Sequence, residues 1–148
     1  MNNKHYFKQE TNYTCGAAAM RMVLSTIGIK KSEKQVAKIL KTNKVRGTWV
    51  KYFPILAEKY YLSYSVQRNS TIKILREYSK KGYKIIVCYS PTKRSDHFSV
   101  IQKIGLKYIY FYCPWYGTNT KYLIKDFKKM WHSHKKYEDE KKWFIAIK

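Results

Sequence analysis

An α+β fold, with N-terminal helices packed on a mostly antiparallel sheet, is what the order of patterns along this 148-residue chain predicts. Apolar residues recur at helical spacing in the first part. Three runs rich in β-branched and aromatic residues, "YKIIVCYS", "HFSVIQKIG" and "KYIYFYCP", then follow one another in the second half. No internal repeat, low-complexity linker or Pro/Gly-rich hinge interrupts the chain, so one domain over 1–148 is expected. The 45% hydrophobic and 17% aromatic content can fill the core of such a unit.

The first helix is expected to start at about Cys15, to carry Ala18, Met22, Leu24 and Ile27 inward, and to stop at Gly28, which suits a C-terminal cap. A second begins at Ser32, whose spacing to Gln35 in "SEKQ" reads as a capping box, and runs through Val36, Ile39 and Leu40 to near Thr42. The segment "GTWVKYFPILAEKYYL" reads as a third helix from near Thr48, in which Pro54 makes a kink or delays the regular start. "LSYSVQ" alternates like a short strand, and "STIKILREYSKKG" reads as a capped helix ending at Gly82. After the three strand-like runs come a short helix, "LIKDFKKMW", and a final strand, "WFIAIK".

With 31 Lys plus Arg against 9 Asp plus Glu, the formal net charge is +22, and a surface of that kind attracts polyanions. An acidic partner such as RNA, an acidic protein or a membrane surface is one reading; AT-rich coding is the other, although it leaves the scarcity of acids unexplained. No run approaches the ~18 apolar residues of a membrane helix, and "MNNKHYFKQE" has no apolar centre of a secretion signal. A cytoplasmic protein is expected, or a domain cut from a longer exported protein and delivered into the cytoplasm of a target cell. The three cysteines, Cys15, Cys88 and Cys113, are odd in number and widely spaced, which suggests neither a disulfide framework nor a zinc site. No metal and no cofactor is called for.

Cys15 stands where a helix begins, and there the macrodipole and free amide donors favour a thiolate. A small buried hydrophobe is the alternative for a free cysteine, and position alone does not choose. A second residue does. His97 opens a strand after the polar loop "SPTKRSD", so its ring can lie at the sheet rim facing a cleft, and a cysteine with a histidine makes an activated nucleophile. Gln9, six positions before Cys15, has an amide that can act with the Cys15 backbone N–H on an oxygen turning negative during acyl transfer.

Gln9, the "CG" opening an "AAAMRMVL" helix, "GTWVKYFPILAEKYYL", "DHFSVIQKIG" and "CPWYG" followed by "FKKMW" together resemble the bacteriocin-processing, double-glycine cysteine peptidases, a branch of the papain-like superfamily. The resemblance covers almost the whole chain in the right order. It implies a papain-like fold in which Cys15 attacks, His97 is the base and Gln9 supports the oxyanion hole, with leader peptides cut after paired glycines. Tyr13 and Gly16 beside Cys15, and Trp115 and Tyr116, are expected to line the cleft. The chain departs from the family at one place. An aspartate that usually orients the histidine is replaced by Cys113, and a neutral thiol is a weak partner for an imidazolium. A dyad without a third member, a substitute such as Asn119 or Asp96, or a site no longer used for proteolysis all remain. Asp96 is disfavoured because adjacent strand residues point to opposite faces. A disulfide between Cys15 and Cys113 requires Cα atoms within about 7 Å.

Other signals have plainer readings. "HSH" at His132 and His134 lacks a carboxylate or cysteine cluster and suits a solvated basic helix end; the acidic "EDE" at 138–140 suits a solvated turn. Tyrosines interleaved with lysines pave sheet faces or stack bases. Trp115 and Trp131 pack, or Trp115 walls the cleft with Tyr116. A Cys-His peptidase acting on a peptide substrate by acyl transfer is the function expected first. A ribonuclease or tRNase toxin domain on the same scaffold, neutralised by an acidic inhibitor or immunity protein, is the alternative that the charge motivates. A non-catalytic peptide-binding module comes last.

Overall fold

The computed structural model describes residues 1–148. A 3-10 turn at Asn3–His5 precedes three helices, α1 (Cys15–Thr26), α2 (Glu33–Ile39) and α3 (Tyr52–Lys59). Then come β1 (Tyr64–Gln67), α4 (Ile72–Lys80), β2 (Lys84–Tyr89), β3 (His97–Ile104), β4 (Tyr108–Cys113), β5 (Gly117–Leu123), α5 (Ile124–Met130) and β6 (Phe144–Ile147). The strands form one sheet in the order β1-β6-β2-β3-β4-β5, every adjacent pair antiparallel.

Both faces of this sheet are covered, and strand alternation sorts the side chains between them. On one face Ile86, Cys88, Phe98, Val100, Ile145 and Ile147 pack under α1, α2 and α3, with Met20, Leu24, Val36, Phe53 and Leu56 buried against them. On the other, Ile85, Val87, Tyr89, Phe111, Phe144 and Ala146 meet Leu75 of α4 and Phe127 of α5. That double covering is why "KIIVCY" and "FIAI" read as unbroken apolar runs.

Local rules set several boundaries. Gly28 takes φ +82° while Ile29 N–H bonds back to Leu24 O at 3.0 Å, closing α1 as a left-handed cap that a side chain would strain. Ser32 and Gln35 form both halves of the capping box. The cap of α4 is Thr71, whose side chain accepts from Ile74 N–H.

Four expectations need correction. Ile27 does not point inward; it is 39% exposed, because α1 ends at Thr26 and the chain turns there. The third helix starts at Tyr52 rather than Thr48: Thr48 is buried with its hydroxyl on Thr42 rather than on a helix N–H, and Val50 N–H is taken by Glu138. Pro54 thus falls in the first turn, where its missing N–H costs no helical bond. A strand, β5, occupies "GTNTKYL", whose polar, half-buried residues mark a sheet edge and give no apolar pattern to read. "EDE" is not merely solvated, since Glu138 caps Val50 N–H and Glu140 pairs with Arg68. No helix of the chain is long and apolar enough to cross a membrane.

Candidate active site

Cys15 is the first residue of α1 and is half-buried. Its helix is not capped in the usual way. The hydroxyl of Thr14, at the N-cap, is engaged upstream, taking the Thr11 N–H at 3.2 Å and lying 2.8 Å from the Thr11 hydroxyl, and makes no cap bond. The first N–H groups of the helix are therefore left without side-chain acceptors beside the sulfur. Gly16 is buried behind Cys15 rather than in the cleft wall. A Cβ there would sit 2.9 Å from Thr48 Cβ and 3.2 Å from the Phe98 ring, so only glycine lets the start of α1 seat this closely on β3.

His97 is the first residue of β3, paired with Tyr89 of β2. Phe98 and Val100 face α1, and being first at the rim lets the His97 ring reach Cys113 while facing the cleft it shares with Cys15. Its Nε2 lies 3.0 Å from Cys113 Sγ at the end of β4. Burial disfavours the charged ring, but the charge of Cys15 and hydrogen bonding to Cys113 and Cys15 outweigh it and raise His97 to about 10. Cys113 is fully buried. Burial pushes its thiol up, but the hydrogen bond and charge of His97, the Tyr116 N–H and the Ser99 hydroxyl bring it down to about 7. The Tyr89 and Tyr116 rings flank the imidazole at 5.9 and 6.2 Å between centroids.

Gln9 is 7% exposed and its Nε2 donates to Thr11 O at 2.7 Å, which leaves the second Nε2 hydrogen for another acceptor; its Oε1 is buried without a protein partner. Its backbone N–H donates to Pro114 O, and Tyr6 OH to Cys113 O, so the N-terminal segment is tied to the turn after β4. One lobe of the cleft brings Gln9, Cys15, His97, Trp115 and Tyr116 together. A second lobe, on the other side of Cys15, contains Tyr13, Arg46, Arg94 and Phe98. Trp115 is 49% exposed and walls the cleft, whereas Trp131 packs at 1%.

Of the substitutes considered for a third residue, Asn119 is exposed on β5 and makes no hydrogen bond to His97. Asp96 turns its carboxylate to the His134 N–H at 3.1 Å and toward the Cys88 thiol at 3.8 Å. His134 itself lies in the second lobe rather than at a solvated helix end. Asn12, three residues before Cys15, and Ser95, two before His97, border both lobes and were not picked out from sequence, because neither sits in a pattern that marks it as chemical. No group of three or more His, Cys, Asp or Glu residues is arranged to hold a metal ion.

The fold recurs in solved peptidases. The peptidase domain of Streptococcus ComA, a bifunctional ABC transporter involved in quorum sensing, superposes with a TM-score of 0.76 at 20% identity over 96% of each chain. A double-glycine motif protease from an AMS/PCAT transporter, solved with its leader peptide, gives 0.70 at 19% identity over 96% of this chain and 89% of that one. A C39-like peptidase from Bacillus anthracis gives 0.74 at 11% identity over 97% and 93%. No curated protein matches the chain. The Peptidase C39 family model matches residues 3–135. With nearly its whole length inside that match and the papain-like arrangement beneath it, the chain belongs to the Peptidase C39 family of cysteine peptidase-like hydrolases.

Proposed function

We propose that the protein cuts a peptide bond by acyl transfer through Cys15 and His97. The observation that carries this reading is one imidazole that shares a cleft with the sulfur of an uncapped helix start while a second sulfur fixes its far nitrogen. With Nε2 committed to Cys113, Nδ1 is the nitrogen left for Cys15. In the first step the Cys15 sulfur, its proton passed to His97, forms a bond to the substrate carbonyl carbon, and the carbonyl oxygen becomes an oxyanion. The free Gln9 Nε2 hydrogen and the N–H groups at the start of α1 are the donors for that charge. The C–N bond then breaks and the leaving amine takes the proton from His97. Water, deprotonated by His97, hydrolyses the thioester and regenerates the thiol.

The substrate we infer is an extended leader-type peptide with small residues at the cut. The double-glycine protease solved with a leader peptide supports this, as do the aromatic walls of Trp115 and Tyr116, which narrow the lobe beside Cys15. Synthetic peptides containing Gly-Gly, followed by mass spectrometry, should be cut after the pair. Cys15→Ala should lower kcat/KM by at least about a thousandfold, the scale of losing a covalent nucleophile. Retention of full activity by Cys15→Ala would end this reading.

An RNA-directed activity has the +22 charge in its favour. Degradation of tRNA by purified protein, weakening steeply with salt, is its expected signature. RNA left intact at high protein excess removes it, together with the acidic immunity partner it motivates.

A further inference from the structure

We propose that Cys113 serves as a thiolate: its sulfur anion accepts the Nε2–H of His97 and so acts as the positioning residue that turns the other ring nitrogen toward Cys15. This rests on the Cys-His reading above and deepens it.

The geometry around the sulfur is that of an acceptor site. Tyr116 N–H points at Sγ from 3.3 Å, and a backbone N–H has no other role available to it than donor. Nε2 lies at 3.0 Å, close for nitrogen and sulfur and in keeping with a contact shortened by charge. The Ser99 hydroxyl, 2.9 Å from Tyr89 OH, also helps to lower the thiol. No part of Cys113 reaches solvent, so these protein groups take the place of water around it. Donors from β3 and from the turn after β4 therefore converge on one atom. A neutral thiol needs no such cage, whereas a buried anion does.

The remaining ionisable groups agree. Burial raises Cys113, but its donors outweigh this and bring it to about 7, while His97 rises to about 10. Around neutral pH the pair is then imidazolium and thiolate. Tyr6, Tyr89 and Tyr122 also face the sulfur; burial raises all three above their ordinary value, so they stay protonated there. Cys88 is pushed well above its ordinary value by burial and by Asp96 and stays a thiol. When Cys113 ionises, its proton leaves to solvent; no oxidant or co-reactant takes part.

Two measurements test this on the 148-residue chain. The first is thiolate absorbance near 240 nm in Cys15→Ser. We expect a step with a midpoint near pH 7, absent from Cys15→Ser/Cys113→Ser; no step before about pH 8.5, the ordinary thiol value, overturns the proposal. Should Cys15→Ser fail to fold, the Cys113 ¹³Cβ shift of the unsubstituted protein, followed through the same pH range, decides in its place. The second is the pH profile of kcat/KM on a Gly-Gly peptide. The acid limb should lie near pH 7 and move down by roughly two units or more in Cys113→Asp, whose carboxyl ionises near 4. Cys113→Ala should lose on the order of a hundredfold in kcat with KM little changed. An acid limb that does not move in Cys113→Asp overturns the proposal. If no peptide is cut while the step near pH 7 is present, the peptidase reading falls and the ion pair stands.

Discussion

Gly16 shows how tightly the nucleophile is seated. Its missing side chain lets Thr48 and Phe98 press against the start of α1, and any Cβ would collide with Thr48 at 2.9 Å. Gly16→Ala should cost about 1–3 kcal/mol in denaturant unfolding, the usual penalty for overpacking. It should also lower kcat/KM further than an alanine placed on the exposed face of α1, because the collision moves Cys15 itself. Equal activity in the two variants would show that the seat is not what positions the sulfur. Cys15 and His97 stood out in the sequence at a helix start and a strand start, and Gln9 by its place six residues before Cys15; Cys113 stood out only through the resemblance, as the residue in place of an aspartate. Gly16 was legible as a motif partner but misread as cleft wall, since a glycine in one dimension carries no sign of what presses on it. Asn12 and Ser95 were not legible at all: they stand within three residues of Cys15 and His97, but whether a loop side chain turns into the cleft depends on the folded backbone.

Among the elements, those set by neighbours in sequence were readable and those set by distant partners were not. The caps at Ser32, Gly28 and Gly82 follow from local chemistry. The stretch before α3 is held by a distant partner, Glu138, which lies 88 residues from the Val50 N–H it accepts at 3.1 Å. Burial raises the Glu138 carboxyl from 4.5 to about 7, against the opposing pull of that N–H. The folded state thus holds this proton more tightly than the unfolded state. The associated stability is fully present below about pH 4.5 and is lost as pH rises through about 7. Glu138→Gln keeps an oxygen for Val50 and removes the titration. Its Tm should match the parent near pH 4.5 and exceed it at pH 8, and a pH-independent difference would refute this account. Ser32→Ala, which removes one half of the capping box, should cost about 1 kcal/mol in denaturant unfolding.

At the scale of the molecule, two features escaped the sequence for topological reasons. β6 enters the middle of the sheet between β1 and β2, and β5 closes an edge; the apolar run of one and the polar residues of the other suit a central and an edge place, but neither encodes which strands lie beside it. Charge, by contrast, is wholly visible in composition, and the fold does little to neutralise it. Only two ion pairs form, Arg21 with Glu10 at 3.8 Å and Arg68 with Glu140 at 2.8 Å. Most of the cations therefore face solvent unpaired, and the field they make draws in anions until salt screens it. A Gly-Gly peptide carrying flanking glutamates should show a kcat/KM on the order of tenfold above its lysine counterpart at low ionic strength. That advantage should shrink between about 50 and 200 mM salt as the Debye length contracts. An advantage that persists unchanged at high salt would assign the preference to direct contacts instead.

Two threads from the beginning of the chain tie down the bend that follows β4: the Tyr6 hydroxyl on the Cys113 carbonyl at 2.9 Å and the Gln9 amide on the Pro114 carbonyl at 3.0 Å. Clipping the molecule just after Tyr6 would sever the first and spare the second, taking only the half-buried Met1 and Tyr6 from the margin of one packed layer. Such a nicked protein should still melt in one sharp transition yet turn over slowly, its chemistry failing well before its architecture.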